Sequence, residues 1–499
     1  MGRRKSILLV TVDCLRAGHV GFMGYSRPTT PFLDALAGES IVVSDAIVAG
    51  APTYYSLPAI LASRYPLALG RDVVGLAPGE PTIATILENA GYATAAFAAG
   101  NPYISSRFGY DRGFETFRDY LQADLVPREE TAPAENSLTW ANRLNRRLQQ
   151  HRRSMGPVRP LYDELYFRYC QRVVPKPSSL DSLRRFPAAN EIVNDARTWL
   201  ESVGERPFFL WLHLMDPHSP YYPKDDALEL MGQNTVTPVH ARYLNSYWNR
   251  SDLGPRRLQS RRHEIVALYD AGIRWVDEQL RRLVESLRAA NRWDDCIFAL
   301  TADHGEEFLE HGGRYHPPSN LMEELIHVPL LLRAPGNPGR PPAKGPFSLI
   351  HLAPTLLDCA GVPAVREFQG RSHWPDFQSG ERLDGVAISE CIADCTNPFR
   401  ADARMGPRVL SVRESRYKLV LHFHPAAESL YDLEADPGEQ SPLSEAAQKP
   451  VRRRLLEIAR QHLLRSREQR DWRSRIQARW RELQLEWTKP ADKAAPVAS

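Results

Sequence analysis

The sequence predicts an α/β protein with a large mixed, mostly parallel sheet flanked by helices, a small C-terminal α+β subdomain and a helical tail. The apolar run from Ile7 to Val12 is typical of a strand covered on both faces, and the run from Cys296 to Thr301 has the same character. Strand-like and helix-like segments alternate from residue 6 to about residue 120, as in βαβ units. These observations predict a sheet whose strands come from distant parts of the chain.

Changes of pattern along the chain suggest its domain boundaries. The main domain is predicted to span residues 1–385. Residues 121–190 interrupt the alternation with a basic, proline-punctuated stretch, which predicts an inserted helical cap. Its arginines are candidates for recruiting an anionic substrate, and a solvated helix face is the simpler alternative. Short strands and a turn over 386–447 predict a smaller second domain.

The C-terminal tail has a pattern of its own. Residues 448–487 predict a basic amphipathic helix, because apolar residues recur at three- and four-residue steps while arginines fill the other faces. The apolar stripe consists of Trp472, Ile476, Trp480, Leu483 and Trp487. A stripe of this kind packs on the folded domain or on a second subunit, and a membrane surface is the alternative. We therefore expect a homo-oligomer or a membrane-surface contact through this helix, and disorder over residues 488–499.

Composition favours a large enzyme-sized domain and argues against several other classes. The chain has 499 residues, and 43% hydrophobic residues are ample for a sizeable core. Lysine plus arginine number 63 against 60 acidic residues, so no nucleic-acid partner is expected. The chain shows no bilayer-length apolar run and enters its first strand within about six residues, which predicts a cytoplasmic protein without a signal peptide. Six scattered cysteines fit reduced thiols better than a disulfide framework.

Candidate metal ligands follow two of the predicted strands directly. Asp13 comes after the first apolar run, and Asp303 and His304 come after the run that begins at Cys296. In an open α/β sheet, ligands collect at the carboxyl ends of strands, so these residues are expected to converge across about 290 residues of chain. Oxygen ligands with one nitrogen favour zinc or manganese over calcium or magnesium. For Asp13 alone, helix capping is an equal alternative.

A candidate nucleophile lies at the entry to a predicted short helix. Thr53 and Ser56 precede the segment PAILASRYP. Metal coordination favours the alkoxide of such a hydroxyl, and a helix N-terminus favours an anion beside it. The sequence therefore predicts an anionic ester, a phosphate or a sulfate, as substrate. Thr53 as a simple helix cap and Ser56 as the nucleophile in its place are the alternatives.

The loop after His304 contains further polar residues whose simplest explanations are structural. Glu306 and Glu307 are expected to be first-turn acids that complement a helix dipole, and His311 is expected to lie in a solvated Gly-Gly turn.

Six segments, in this order, resemble the landmarks of one protein family. They are GHVGFMGYSRPTTPFLDALA, GYATAAFAAGNPYISSRFGYDRGFETF, PFFLWLHLMDPHSPYYP, LYDAGIRWVDEQLRRL, IHLAPTLLDCAGVPA and KLVLHFHPAAESLYDLEADPGEQ. Through most of its length the chain thus resembles the sulfatase-like branch of the alkaline phosphatase superfamily. The resemblance implies an alkaline-phosphatase/sulfatase-like fold whose C-terminal subdomain is a small antiparallel sheet with a helix.

The same resemblance implies roles for individual residues. Asp13, Asp303 and His304 match metal ligands, and Thr53 matches the nucleophile, which also contacts the metal. His218 and His316 match positions that hold the reacting oxyanion or protonate the leaving group.

Several positions depart from the sulfatase pattern. Thr53 occupies the place of the cysteine or serine that is oxidised to formylglycine, and threonine cannot form that group. Leu57 replaces the signature arginine, and His316 replaces a lysine. Asn101 replaces a histidine, and Cys14 stands where a second acidic ligand often lies. Fixed cations that would hold a sulfate are therefore missing at these positions.

With these departures, the chain resembles the threonine-dependent transferases of the superfamily, which move phosphoethanolamine or phosphoglycerol. We therefore expect a metal-dependent hydrolase or transferase that cleaves a phosphate ester through a covalent intermediate on Thr53. Asn101 and Ser56 are candidate substrate contacts. A sulfate-ester hydrolase without formylglycine and a non-catalytic metal-binding protein are the alternatives.

Overall fold

The computed structural model describes residues 4–121, 159–232, 236–337, 339, 342–380 and 382–466. Residues 122–158 of the predicted insertion lie outside the described residues. So do the tryptophan stripe of the predicted tail helix and the predicted disordered end, and the oligomer or membrane contact assigned to that stripe stays a prediction.

A mixed sheet lies at the centre of the main domain. The strands up to residue 348 are β1 (Ser6–Val12), β2 (Ile41–Ile47), β3 (Ala93–Ala98), β4 (Thr116–Arg118), β5 (Phe208–Leu214), β6 (Cys296–Ala302), β7 (Glu307–Phe308), β8 (Arg314–Tyr315), β9 (His327–Arg333) and β10 (Ala343–Ser348). β7 and β8 form a separate ribbon, and the other eight form one sheet in the order β10-β2-β9-β6-β1-β5-β3-β4. β9 runs antiparallel to both of its neighbours, and the remaining pairs are parallel, which confirms the predicted fold class.

Helices flank this sheet. Those of the main domain are α1 (Pro31–Ala37), α2 (Thr53–Ala62), α3 (Ile83–Asn89), α4 (Arg159–Val173), α5 (Ala189–Val203), α6 (Asp225–Leu230), α7 (Pro238–Trp248), α8 (Pro255–Ala289), α9 (Glu323–Ile326), α10 (Leu352–Ala360) and α11 (Trp374–Ser379). Single 3-10 turns occur at Ala17–His19, Gly21–Met23, Ser106–Phe108, Asp181–Leu183, Leu349–His351 and Ala403–Met405.

The long helix α8 anchors several shorter elements through its buried face, which contacts α1, α5, α6 and α7. Asp277 on that face is fully buried and accepts hydrogen bonds from the backbone N–H groups of Phe32 and Leu33 in the first turn of α1. These donors have no partner within their own helix, so the distant carboxylate acts as a cap. Burial raises the pKa of Asp277 to about 7 in spite of these bonds.

The register of three central strands aligns the candidate ligands. β1 lies between β5 and β6 and is parallel to both. Val12 pairs with Leu214 on one side and with Ala302 on the other, so all three strands end at the same level. The residues that follow β1 and β6 are Asp13 and Asp303. All three strands are buried along their whole length, as their near-continuous apolar sequences predict.

The C-terminal subdomain is an antiparallel sheet covered by a helix. Its strands are β11 (Val386–Ile392), β12 (Arg408–Glu414), β13 (Tyr417–Phe423) and β14 (Ala426–Asp432), in that order across the sheet. Helix α12 begins at residue 449 and is described as far as 466. Leu455 and Ala459 of α12 pack on the buried face of this sheet. The predicted C-terminal antiparallel sheet is thus confirmed, and the helix that covers it lies within residues 448–487, where a tail helix was predicted.

A buried ion-pair cluster joins the subdomain to the main domain. Lys418 of β13 is fully buried and lies 3.1 Å from Glu323 and 2.8 Å from Glu439. Arg413 of β12 is 2.6 Å from Glu323 as well. Burial of charged groups is tolerated here because each cation faces two carboxylates, the second partner of Arg413 being Asp45 of β2. The pairing ties the small sheet to α9 and to β2 of the large one.

The described part of the predicted insertion is helical, since α4 lies within residues 121–190. Arg250, just after α7, is 2.7 Å from Glu164 of α4, and its guanidinium lies 4.7 Å from the ring centre of Phe167. Helix α4 therefore packs beside the α7 region. Its role as a substrate-selecting cap stays a prediction.

In the part of the chain that the structure describes, each helix is too short or too polar to cross a membrane.

Candidate active site

Asp13, Asp303 and His304 lie together at the carboxyl ends of β1 and β6. His304 Nε2 is 3.6 Å from Asp13 Oδ1 and 3.7 Å from Asp303 Oδ2. The three side chains are completely buried. The sequence-predicted convergence therefore occurs, and it brings two carboxylates and an imidazole into one water-poor pocket.

The chemistry of these donors fits a divalent cation. His304 Nδ1 lies 2.7 Å from the carbonyl oxygen of Gly305, which accepts a hydrogen bond only from a protonated nitrogen, so Nε2 keeps its lone pair. Asp303 Oδ1 accepts a hydrogen bond from the backbone N–H of His304, but among the described residues Asp303 Oδ2 has no hydrogen-bond partner. A buried carboxylate oxygen without a donor is costly unless a cation satisfies it. Asp13, Asp303 and His304 are thus the groups that would hold a metal ion.

Thr53 is the first residue of α2, and its side chain faces this cluster. Thr53 Oγ1 is 3.3 Å from His304 Nε2. Thr53 is only 4% exposed. The N-cap residue of the helix is Pro52, whose side chain makes no capping hydrogen bond. The hydroxyl of Thr53 therefore points to the candidate ligands and does not cap its own helix, which removes the simple structural alternative.

Ser56 and Asn101, the candidate substrate contacts, each make a hydrogen bond within the protein, and their contact with substrate stays a prediction. Ser56 is fully buried one turn into α2, and its hydroxyl donates to the carbonyl oxygen of Thr53 at 3.2 Å. Asn101, which is 2% exposed, donates from Nδ2 to Asp13 Oδ2 at 2.9 Å. The structure thus brings Asn101 to the site as a group that positions Asp13, while the recorded contact of Ser56 stays within its helix.

His213 is a site residue that the sequence reasoning passed over in favour of His218. It lies on β5, is completely buried, and its Nε2 is 3.3 Å from Asp13 Oδ2. Its Nδ1 is 2.8 Å from the hydroxyl of Thr11, its register partner on β1. A single polar residue in the apolar segment FFLWLHL was the available signal.

His218 and His316 lie side by side at the more open side of the cluster. Their ring centres are 5.1 Å apart, and the ring of His316 is 4.6 Å from that of His304. Both residues are partly exposed. His218 Nδ1 lies 2.5 Å from the carbonyl oxygen of Ser219, so this nitrogen donates and Nε2 is left for other partners. The two predicted imidazoles are therefore adjacent and accessible.

Glu306 is a second site residue that the sequence reasoning missed, because the acid was expected at the start of a helix. Glu306 is completely buried, no helix begins there, and its Oε1 lies 3.1 Å from His316 Nδ1. Glu307, 1% exposed, begins the short strand β7 and accepts hydrogen bonds from the backbone N–H groups of His311 and Gly313. Neither acid complements a helix dipole.

Electrostatic interactions set the two aspartates apart. Burial alone would raise the pKa of Asp13, but the imidazoles of His218, His213 and His304 hold it well below its usual range. Burial raises the pKa of Asp303, and the negative charge of Asp13 raises it further. The pocket thus holds Asp13 in its ionised form, whereas a bound cation would stabilise the negative charge of Asp303.

Gly305 permits a close approach of two chain segments. Its backbone N–H donates to the carbonyl oxygen of Leu325 at 2.9 Å, and a Cβ added to Gly305 would lie 2.0 Å from the carbonyl oxygen of Glu324.

We expect Gly305→Ala to lower the free energy of unfolding by about 1–3 kcal/mol or more, because overpacking displaces the backbone next to His304. Urea unfolding measures this change. Gly18→Ala, whose Cβ would meet nothing within 4 Å, is the control, and equal losses in both variants would contradict the packing argument.

His311 belongs to a separate cluster and is not a solvated loop residue. Its Nδ1 is 2.6 Å from Glu324 Oε1, and its Nε2 is 3.2 Å from the carbonyl oxygen of Glu439. The hydrogen bond to Glu324 raises the pKa of His311 to about 9, against the opposing effect of burial. The protonated ring therefore links the loop after His304 to α9 and to the C-terminal subdomain.

This pairing predicts a pH-dependent stability. A histidine whose pKa is higher in the folded state stabilises the fold fully below its unfolded pKa of about 6.5, and this contribution is lost as the pH rises through about 9. His311→Gln lacks the contribution, so the stability advantage of the wild-type protein over the variant should shrink between these two pH values. Urea midpoints of both proteins across this range measure the effect. An advantage that stays constant or grows would contradict it.

Comparison with known proteins identifies the family. A sequence profile described as Sulfatase matches residues 5–362, well over half of the chain. The chain belongs to the sulfatase family. A second profile, described as the C-terminal region of N-sulphoglucosamine sulphohydrolase, matches residues 311–469 of this sulfatase-family protein. Members of the sulfatase family bind a divalent metal ion.

Individual relatives cover different shares of the chain. The choline-sulfatase of Rhizobium meliloti is 28% identical over 51% of this chain and 50% of its own length. Arylsulfatase K of Gallus gallus is 27% identical over 37% of this chain and 38% of its own length. The chain thus spans half or less of the length of these two relatives. The multifunctional alkaline phosphatase superfamily protein PehA of Trinickia caryophylli is 22% identical over 88% of this chain and 91% of its own length.

Solved structures share the fold of this sulfatase-family chain. The structure of BT4656 in complex with its substrate D-glucosamine-2-N,6-O-disulfate gives a TM-score of 0.67 at 17% identity, covering 93% of this chain and 99% of that chain. The phosphonate monoester hydrolase of Agrobacterium radiobacter gives 0.63 at 19% identity, covering 93% and 96%. At these identities the likeness concerns the fold alone.

Proposed function

We propose that this sulfatase-family hydrolase cleaves phosphorus esters, phosphodiesters above all, by forming a covalent ester on Thr53. The observation that carries the proposal is the position of Thr53 Oγ1, 3.3 Å from His304 Nε2 at the start of α2. Transfer to an acceptor alcohol in place of water would use the same covalent step.

The choice of phosphorus follows from the single hydroxyl of threonine. A formylglycine hydrate carries a second hydroxyl on the same carbon, which can expel the ester group, and Thr53 has no such group. An ester on Thr53 leaves only through a second attack at the central atom. Two in-line displacements of this kind are the ordinary course of phosphoryl transfer through a covalent intermediate. Thr53 thus favours phosphorus over sulfur.

A divalent ion held by Asp13, Asp303, His304 and Thr53 would supply Lewis-acid activation of the threonine hydroxyl and neutralise charge on the ester oxygens. Zinc or manganese suits these ligands better than calcium or magnesium, because one of them is an imidazole. The N-terminus of α2, a helix of ten residues, adds a partial positive charge beside Thr53 Oγ1.

The chain's own residues supply the remaining steps. The Thr53 hydroxyl gives its proton to solvent, and Oγ1 forms the bond to phosphorus while the bond to the leaving oxygen breaks. His218 and His316, whose rings lie 5.1 Å apart, provide N–H donors for the equatorial oxygens and a proton for the leaving oxygen. Water then attacks phosphorus and frees Thr53. Asn101 holds Asp13 through its hydrogen bond, and Glu306 orients His316.

Relatives support two substrate classes. The phosphonate monoester hydrolase shares the fold, so this fold can host phosphorus-ester chemistry, and PehA is described as a multifunctional protein of the alkaline phosphatase superfamily. The choline-sulfatase supports sulfate esters, which is the second candidate function, with the unmodified Thr53 hydroxyl as nucleophile. The convergence of a hydroxyl, two carboxylates and imidazoles in one pocket argues against a purely metal-binding protein.

A parallel assay tests the proposal. The purified protein is analysed for bound metal and then given p-nitrophenyl sulfate, p-nitrophenyl phosphate, bis-p-nitrophenyl phosphate and p-nitrophenyl phenylphosphonate with that metal restored. We expect the diester or the phosphonate to give the highest kcat/KM. A preference for the sulfate would transfer the proposal to the second candidate, and a metal-loaded protein inert toward all four would favour the non-catalytic alternative.

A further inference from the structure

Cys14 lies in the centre of the candidate ligands. It follows Asp13 at the end of β1, is completely buried, and its backbone has a φ of 62°, a left-handed conformation that is unfavourable for a non-glycine residue. Its carbonyl oxygen accepts a hydrogen bond from the Tyr269 hydroxyl at 2.7 Å, which holds this backbone in place. Its Sγ lies 3.1 Å from Asp13 Oδ1 and 3.4 Å from His316 Nδ1.

The distances around Cys14 are those of ligands that share one ion. Its Sγ and a ring nitrogen of His304 lie within 4.8 Å of each other, and His304 Nε2 is 3.6 Å from the same Asp13 oxygen. Ligands with metal bonds of about 2.0–2.3 Å around a tetrahedral ion lie roughly 3–4 Å apart. Cys14, Asp13 and His304 thus already have near-ligand spacing.

A second observation, independent of the thiol, also points to a cation here. The buried Oδ2 of Asp303 has no hydrogen-bond partner among the described residues and lies 3.7 Å from His304 Nε2. The groups of side chains that could hold an ion overlap here, since Cys14 lies with His304 and His316, Cys14 also lies with Asp13, and Asp13 lies with Asp303.

We propose that Cys14 is a ligand of the divalent ion and makes the site selective for thiophilic ions such as Zn²⁺ over Ca²⁺ and Mg²⁺. This inference rests on the metal site of the proposed function and adds a ligand to it. On binding, the S–H bond breaks, the proton passes to solvent, and the sulfur electron pair forms the bond to the ion. Thiolate and imidazole ligands favour zinc and cobalt, whereas calcium and magnesium take oxygen ligands.

Cobalt spectroscopy tests the ligand directly. The metal-free full-length protein is titrated with Co²⁺ while bound metal is counted by elemental analysis. We expect an intense near-ultraviolet thiolate-to-cobalt band in the wild-type protein and in Cys170→Ser, which changes a partly exposed cysteine on α4. The band should be absent in Cys14→Ser, which should still bind Co²⁺ through the other ligands.

The outcomes separate this inference from the proposed function. Stoichiometric Co²⁺ binding by the wild-type protein without the band, or a band that survives in Cys14→Ser, overturns the role of Cys14 and leaves the metal site. Failure of the wild-type protein to bind Co²⁺ or Zn²⁺ overturns both. In Cys14→Asp, which replaces sulfur by oxygen, we expect the preference for Zn²⁺ over Ca²⁺ to fall by roughly 10–100-fold. An unchanged preference would overturn the proposed selectivity.

Discussion

Replacing Thr53 with alanine is expected to abolish ester turnover while leaving most of the metal in place. The hydroxyl that faces His304 Nε2 is lost, and with it the covalent step, so kcat/KM for the best substrate should fall on the order of 10⁴-fold or more. Asp13, Asp303 and His304 remain, so elemental analysis should still find the ion. Mass spectrometry of the wild-type protein quenched during turnover should show the phosphoryl group on the peptide that contains Thr53.

Ser56 provides the matched control for this variant. It is a second buried hydroxyl on the same helix, and its hydroxyl donates to the carbonyl oxygen of Thr53. Ser56→Ala should keep activity within a few fold of the wild-type protein, because only a local hydrogen bond is lost. Full activity in Thr53→Ala would assign the chemistry to a water molecule or to Ser56, and loss of activity in Ser56→Ala alone would select Ser56.

Asp303→Asn is expected to lose both the metal and the activity. The substitution removes one of two buried carboxylates and places an amide where Oδ2 has no donor at present. Without metal, the variant should melt no lower than the metal-free wild-type protein, because the raised pKa of Asp303 reflects unfavourable burial and repulsion by Asp13. Elemental analysis and thermal melts with and without metal measure the two effects.

The buried acid Asp277 serves as the control for Asp303. It accepts two backbone hydrogen bonds at the start of α1 and belongs to none of the candidate ligand groups among the described residues. Asp277→Asn should alter stability without changing metal content. An Asp303→Asn protein that retains a full complement of metal would remove Asp303 from the ligand set.

The fold could be predicted in outline because its strongest signals are local. Apolar runs mark β1, β5 and β6, and strand ends mark where Asp13 and Asp303 lie. Strand order and the reversed direction of β9 were beyond the sequence, since they depend on pairings between distant segments that leave no local trace.

The candidate metal ligands could be predicted from the residues themselves because each of them follows a strand directly, whereas His218 and His316 were predicted only through the family resemblance. His213 was missed because it lies within β5, and its contact with Asp13 depends on the register of β5 against β1. Glu306 was missed because Glu-Glu after glycine also fits a helix start, whereas in the structure the backbone N–H groups of Gly305 and Glu306 donate to the carbonyl oxygens of Leu325 and Glu324 in α9. Asn101 was expected to contact substrate, and only its distance to Asp13 shows a positioning contact.

The position of β1 between β5 and β6 has a consequence for synthesis on the ribosome. Ser6 pairs with Cys296 and Ile7 pairs with Phe209. The ribosome must therefore add about 200 residues after β1 before one neighbouring strand is made, and about 290 before the other is made. At about 5–20 residues per second, roughly 15–60 s pass before both edges of β1 are covered. During that interval an apolar strand with open edges is exposed to aggregation and to chaperones. The yield of soluble protein is therefore expected to depend on how this nascent strand is protected as well as on the stability of the finished sheet.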